Sequence, residues 1–155
     1  MSGQMSRFHR GENPKAWLER ADRLLIEANG EAEPADRFLT AYLSALRGAA
    51  AVIAQVVPAP SSRRRRGTGG AWATMARLAP EFTMWADYFA EYSPLRAAIM
   101  SGVSRPMSAE KADAFSARVT AFLHDVEDHL GESARLEGDR AWSISPNSIS
   151  TGLTA

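Results

Sequence analysis

Residues 108–131 read SAEKADAFSARVTAFLHDVEDHLG, and the phase of this stretch decides the fold class. Ala112, Phe115, Val119, Phe122, Leu123, Val126 and Leu130 recur at spacings of three and four. At 3.6 residues per turn they fall within an arc of roughly 100°, the apolar stripe of a helix laid on a core. Ser108 is an N-cap candidate whose hydroxyl can accept an early backbone N–H, and Glu110 suits the positive end of the helix dipole. Gly131 is the expected stop.

The same period recurs upstream. Asn13-Pro14 opens a first helix, because asparagine caps and proline lacks the N–H that would be orphaned there. Trp17, Ala21, Leu24, Leu25 and Ala28 form its stripe, closed by Asn29-Gly30. A second helix begins near Pro34 with Phe38, Tyr42, Leu46, Ala49, Ile53 and Val57 as its buried line. Leu39, Leu43 and Ala50 widen that line, and Pro58 and Pro60 end it. A third runs from Ala71 through Trp72, Met75, Leu78, Phe82, Trp85 and Phe89; Pro80 inside it removes one backbone bond and predicts a kink or two abutting helices. Ser93-Pro94 starts a short helix, about 94–101, ended by Gly102.

No segment alternates polar and apolar residues long enough for a strand. The expectation is an all-α, up-and-down antiparallel bundle of four main helices plus one short helix over residues 13–131. Residues 1–12 read as a disordered arm, 58–70 as a flexible basic loop and 132–155 as a disordered tail.

Composition narrows the function classes. The chain of 155 residues has no net charge at pH 7, so no global field favours nucleic acid or a membrane. Absence of cysteine removes disulfides, thiolate nucleophiles and Cys-based zinc sites together. The N-terminal residues carry no apolar run of the signal-peptide kind, and the apolar stretch Gly48–Val57 is too short to span a bilayer. A cytoplasmic protein with no membrane partner and no cofactor is expected.

Several stretches together resemble the small actinobacterial HEPN proteins (higher eukaryotes and prokaryotes nucleotide-binding). They are the Leu46-Arg-Gly-Ala-Ala-Ala-Val-Ile53 centre of the second helix, the Pro/Arg loop, Ala71-Trp72 with Leu78-Ala79-Pro80-Glu81 and Trp85-Ala86, and Ser108-Ala-Glu-Lys-Ala-Asp113. The resemblance covers about residues 13–131. It implies a HEPN-type bundle, frequently dimeric, in a superfamily of RNA-cutting toxins and RNA-binding accessories of conflict and stress systems.

HEPN ribonucleases carry an arginine, four to six residues, then a histidine, often with a polar residue directly after the arginine. Arg118-Val-Thr-Ala-Phe-Leu-His124 meets that spacing, with apolar Val119 where the polar residue would stand. The resemblance implies a guanidinium to hold phosphate and an imidazole to move a proton. Six residues on a helix turn through 600°, so the two lie about 120° apart and flank the buried stripe. They can meet only across a dimer made along the last helix.

Lys111, Arg118, Asp125 and His129 share one flank, where Asp125 and His129 are spaced to pair. His124, Asp125, Asp128 and His129 have metal-ligand chemistry, but no supporting ligand set exists elsewhere, and no metal is expected. Arg63, Arg64, Arg65 and Arg66 suit sequence-independent phosphate contacts. Gly67-Thr-Gly-Gly70 lacks the spacing and lysine of a P-loop. Trp72, Phe82, Trp85 and Phe89 read as core, and Tyr88 and Tyr92 as an exposed partner surface.

The function expected first is an RNA- or protein-binding module without strong catalysis, in a stress, toxin–antitoxin or DNA-maintenance context. A metal-independent endoribonuclease using Arg118 and His124 is the alternative. A structural helical partner of a larger enzyme is the third. The partners expected are a second copy docked through the last helix, RNA or another nucleic acid, and a protein.

Overall fold

The computed structural model describes residues 13–57, 70–103 and 107–144. Those residues form α1 (Pro14–Gly30), α2 (Pro34–Val56), α3 (Gly70–Leu78), a 3-10 turn (Pro80–Phe82), α4 (Thr83–Glu91), α5 (Ser93–Met100) and α6 (Ala109–Ile144). The fold is an all-α bundle with no strand among the described residues.

Local chemistry sets the starts. The Asn13 side chain accepts from the Lys15 N–H at 3.0 Å, and Pro14 takes the first helical position. The Ser108 hydroxyl accepts from the Lys111 N–H at 3.1 Å, as its N-cap reading requires. Gly102 closes α5 with φ at +79°, a conformation that disfavours any side chain.

Helix directions follow from the contacts. Ser44 donates to the Ala21 carbonyl at 2.7 Å while Arg47 lies over Trp17, so α1 and α2 are antiparallel. Arg37 pairs with Asp113, Phe38 packs on Phe115, and Gly48 abuts Phe122 and Leu123, so α2 and α6 are parallel. Tyr88 packs on Phe115 and Phe82 on His129, which makes α4 antiparallel to α6.

At Pro80 the chain does more than kink. Ala79 is extended, at φ −134° and ψ 80°, because the proline ring excludes the helical conformation from the residue before it. The chain then folds back, and the Trp72 ring stacks on Phe89 at 4.8 Å. In one continuous helix those residues would stand about 25 Å apart. The expected third helix is therefore a hairpin, α3 and α4, zipped by Trp72, Met75 and Ala79 against Phe82, Ala86 and Phe89, all buried.

The core runs through the middle of this arrangement. Phe38, Phe89, Phe115 and Phe122 are fully buried, and Trp72 donates to the Tyr42 hydroxyl, itself bonded to Ser93, both at 2.8 Å. The buried line of α2 includes small residues that the sequence reading left out: Ala41, Ser44, Ala45 and Gly48. A Cβ on Gly48 would stand 2.7 Å from Leu123 Cδ2 and 2.8 Å from Phe122 Cε2, so hydrogen alone fits there without displacement. Leu39, Leu43 and Ala50 are only half-buried. Helix α2 as a whole, 23 residues, is long and apolar enough to cross a membrane, unlike the shorter Gly48–Val57 run considered alone.

Gly131 does not stop the last helix. α6 continues to Ile144, so residues 132–144, expected in a patternless tail, are helical. A glycine inside a helix costs only about 1 kcal/mol, and Glu132, Ala134, Arg135, Leu136 and Glu137 after it are good helix formers.

Candidate functional site

The stripe Phe115, Val119, Phe122 and Val126 fixes the rotation of α6, and the residues beside it are thereby assigned to two flanks. One faces α4 and the 3-10 turn. There the exposed Arg118 guanidinium lies 5.9 Å from the centre of the Tyr88 ring. One turn pair further along, Asp125 accepts the indole N–H of Trp85 at 2.8 Å. His129 sets Nδ1 3.5 Å from Glu81 and meets the edge of Phe82 at 5.2 Å. The expected Asp125–His129 pair is not made, because each side chain finds a partner on the neighbouring element instead.

The other flank faces α1. His124 is exposed there, and with Glu127 it acts on Asp22. Partial burial pushes the Asp22 carboxyl above its usual 3.8, Glu127 adds to that, His124 opposes it and Glu19 adds again. Arg118 and His124 thus address different helices on opposite sides of the stripe. Within one chain they do not converge on a common point.

Tyr88 and Tyr92 were expected on an exposed partner surface. Both are half-buried: Tyr92 packs on Phe38 and Phe115, and Tyr88 on Phe89 and Tyr92. Burial raises the Tyr88 hydroxyl far above its ordinary range, so it acts as a neutral hydroxyl. Arg63, Arg64, Arg65 and Arg66 lie outside the described residues. Among the described residues no three His, Asp or Glu side chains are grouped to hold a metal ion.

Two features had no reading in the sequence. Trp17 carries two guanidinium groups over its ring, Arg20 at 4.8 Å and Arg47 at 5.6 Å. Only the pairing of α1 with α2 brings Arg47 there. A shallow cleft of about 250 Å³ opens where α6 overhangs the end of α2, between Gln55, Val56, Glu81, His129, Ser133 and Arg140. Its signal was present: Ser133, Glu137 and Arg140 continue the helical phase past Gly131.

A family model described as SAV_6107-like HEPN matches residues 28–127, well over half of the chain. The chain belongs to this HEPN family. The match runs from the last turn of α1 to Glu127 of α6 and includes α2, the α3–α4 hairpin, Arg118 and His124. The overhang of α6 lies beyond the HEPN match. No curated protein and no solved structure matched the chain.

Proposed function

We propose that this HEPN chain is a binding module without strong catalysis, one that holds RNA or a protein in a cytoplasmic stress, toxin–antitoxin or DNA-maintenance system. The observation that carries this reading is the divergence of Arg118 and His124. Metal-independent cleavage needs a cation on the phosphate and a proton-transferring group within hydrogen-bond reach of the reacting oxygens. Here the arginine is engaged with Tyr88 of α4 and the histidine faces Asp22 of α1. Val119 between those flanks is fully buried, so the helix is phased for packing. Arg63 to Arg66 supply the charge density for phosphate contacts, which add affinity without reading sequence.

The test is a ribonuclease assay in EDTA beside a binding titration. Purified protein should cleave RNA no faster than His124→Ala. Its RNA affinity should fall with salt, and replacing Arg63 to Arg66 by serine should flatten that slope by up to about four phosphate contacts with the melting temperature unchanged. Cleavage that disappears in both Arg118→Ala and His124→Ala, with folding intact, makes the chain an endoribonuclease instead. An affinity for RNA that is absent even at low salt leaves a protein as the partner.

A further inference from the structure

Trp17, Trp72 and Trp85 all pack in or on the core, yet only two of them use the indole N–H inside the bundle. Trp72 donates to Tyr42 and Trp85 to Asp125, both at 2.8 Å. Trp17 is half-buried, and its N–H has no acceptor among the described residues. A tryptophan so placed offers an apolar ring and a donor to whatever docks beside it.

Two guanidinium groups meet at this ring, Arg20 of α1 at 4.8 Å and Arg47 of α2 at 5.6 Å. Both lie so near one ring centre that the two charges are at most about 10 Å apart, roughly a Debye length. Neither pairs with a carboxylate among the described residues, where the ion pairs join Arg37 to Asp113 and His129 to Glu81. The sequence around them supplies no compensating acid. From Leu39 to Val57 the one charged residue is Arg47. On α1, Glu19 and Asp22 stand about 160° and 140° around the axis from Trp17. Arg23 adds a third cation about 60° beyond Arg20, and Glu27 on that flank is about 15 Å along the helix from Trp17.

We propose that Trp17, Arg20 and Arg47 form a contact point for a single RNA strand, with a phosphate between the guanidinium groups and its base against the indole. The site rests on the RNA form of the binding-module reading and is additional to Arg63 to Arg66. Arginine pairs with phosphate oxygens through parallel N–H bonds, and an anion between two cations removes their mutual repulsion. The contact of each guanidinium with the ring is weak, so the group can turn to phosphate while a base takes its place. Every base has a π-face, so stacking on indole is tolerant of sequence. A duplex keeps its bases stacked on one another, and an acidic peptide would leave the indole unused. Only an unpaired strand engages both parts of the site. Trp17 and Arg20 precede residue 28, where the HEPN match begins, so the site belongs to this chain and not to the matched region.

The test is equilibrium binding of a labelled uridine-only strand of about twelve nucleotides to the full chain at low salt. Arg20→Gln and Arg47→Gln should each weaken binding and lower the salt slope by about 0.7, the share of one single-strand phosphate contact. Trp17→Leu keeps an apolar side chain on the core and should lose about tenfold in affinity with the slope unchanged. An abasic strand of the same length keeps the phosphates, and it should bind wild type and Trp17→Leu alike. Arg20 is exposed, so its variant reports on binding even if Trp17→Leu disturbs the packing of α1. Wild-type binding that all three variants match overturns the site and leaves the binding-module reading standing. A loss in Trp17→Leu that is as large with the abasic strand overturns the stacking. Wild type that ignores the uridine strand but pellets with anionic vesicles ends the RNA reading and the site together.

Discussion

Single residues show how tightly the centre of this bundle is set. Phe122 touches Trp72, Phe82, Trp85 and Phe89 and closes over Gly48. Phe122→Ala removes that ring and leaves a cavity its neighbours fill only in part, so a urea melt should show a loss of about 3–5 kcal/mol. A loss below about 1 kcal/mol would mean that α6 is rotated away from this phase. Asp22 gives a pH signature. Its carboxyl titrates higher in the folded chain than in the unfolded one, with burial the first cause and Glu127 the second. The folded state thus favours the proton. That contribution is complete below the usual 3.8 and is lost as pH rises through the elevated value. Asp22→Asn keeps the side chain neutral and should melt slightly above the wild type at pH 7, with the gap closing at pH 3. A gap that widens on acidification would reverse the sign. The burial of Phe122 was legible in the spacing of α6. The environment of Asp22 was not, because Glu127 and His124 reach it from a helix about a hundred residues away in sequence.

At the scale of elements, caps and prolines were read well, as were the stops at Gly30 and Gly102, but not the one at Gly131. Asn13 and Ser108 act through bonds to backbone two or three residues away, and Pro14 through its own fixed φ and missing N–H, so local sequence suffices. Gly131 was read as a stop, yet the helix runs on, because a lone glycine weakens a helix by less than the following turns restore. Pro80 was read as a break, which it is, but the reversal into a hairpin depends on Trp72 finding Phe89. Beyond Gly131 nearly every side chain of α6 is exposed, so the overhang adds length without adding core. A chain ending at Leu130 should keep its urea stability to within about 0.5 kcal/mol while losing the helical signal of the overhang. A larger loss would show that the cleft beside Gln55 and Val56 contributes to the fold.

For the whole molecule, direction matters more than the number of helices. Helices α2 and α6 are parallel, α1 and α4 run against them, and α6 lies between α1 and α4 and offers each a different flank. Arg118 and His124 already stand about 120° apart on the helix, and that placement sets one against Tyr88 and the other toward Asp22. It also turns the Leu39–Val57 flank of α2 away from α6. Its six positions, Leu39, Leu43, Leu46, Ala50, Ile53 and Val57, were read as part of the buried line or its margin, and all are half-buried, with Leu39, Leu46 and Ile53 packed on the edge of the core.

By itself the sequence determined that this protein is a helical bundle of the HEPN family, where its helices begin, and that Arg118 and His124 stand about 120° apart on one of them. These are properties of local period and of capping bonds that span a few residues. Only the tertiary structure decided that the third helix folds back at Pro80, that Asp125 bonds Trp85 instead of pairing with His129, and that Arg47 rests on Trp17. Each of those outcomes is a choice between a near partner and a distant one. The distant partner wins when packing has already brought it close and partly shielded it from water, and no spacing along the chain encodes that.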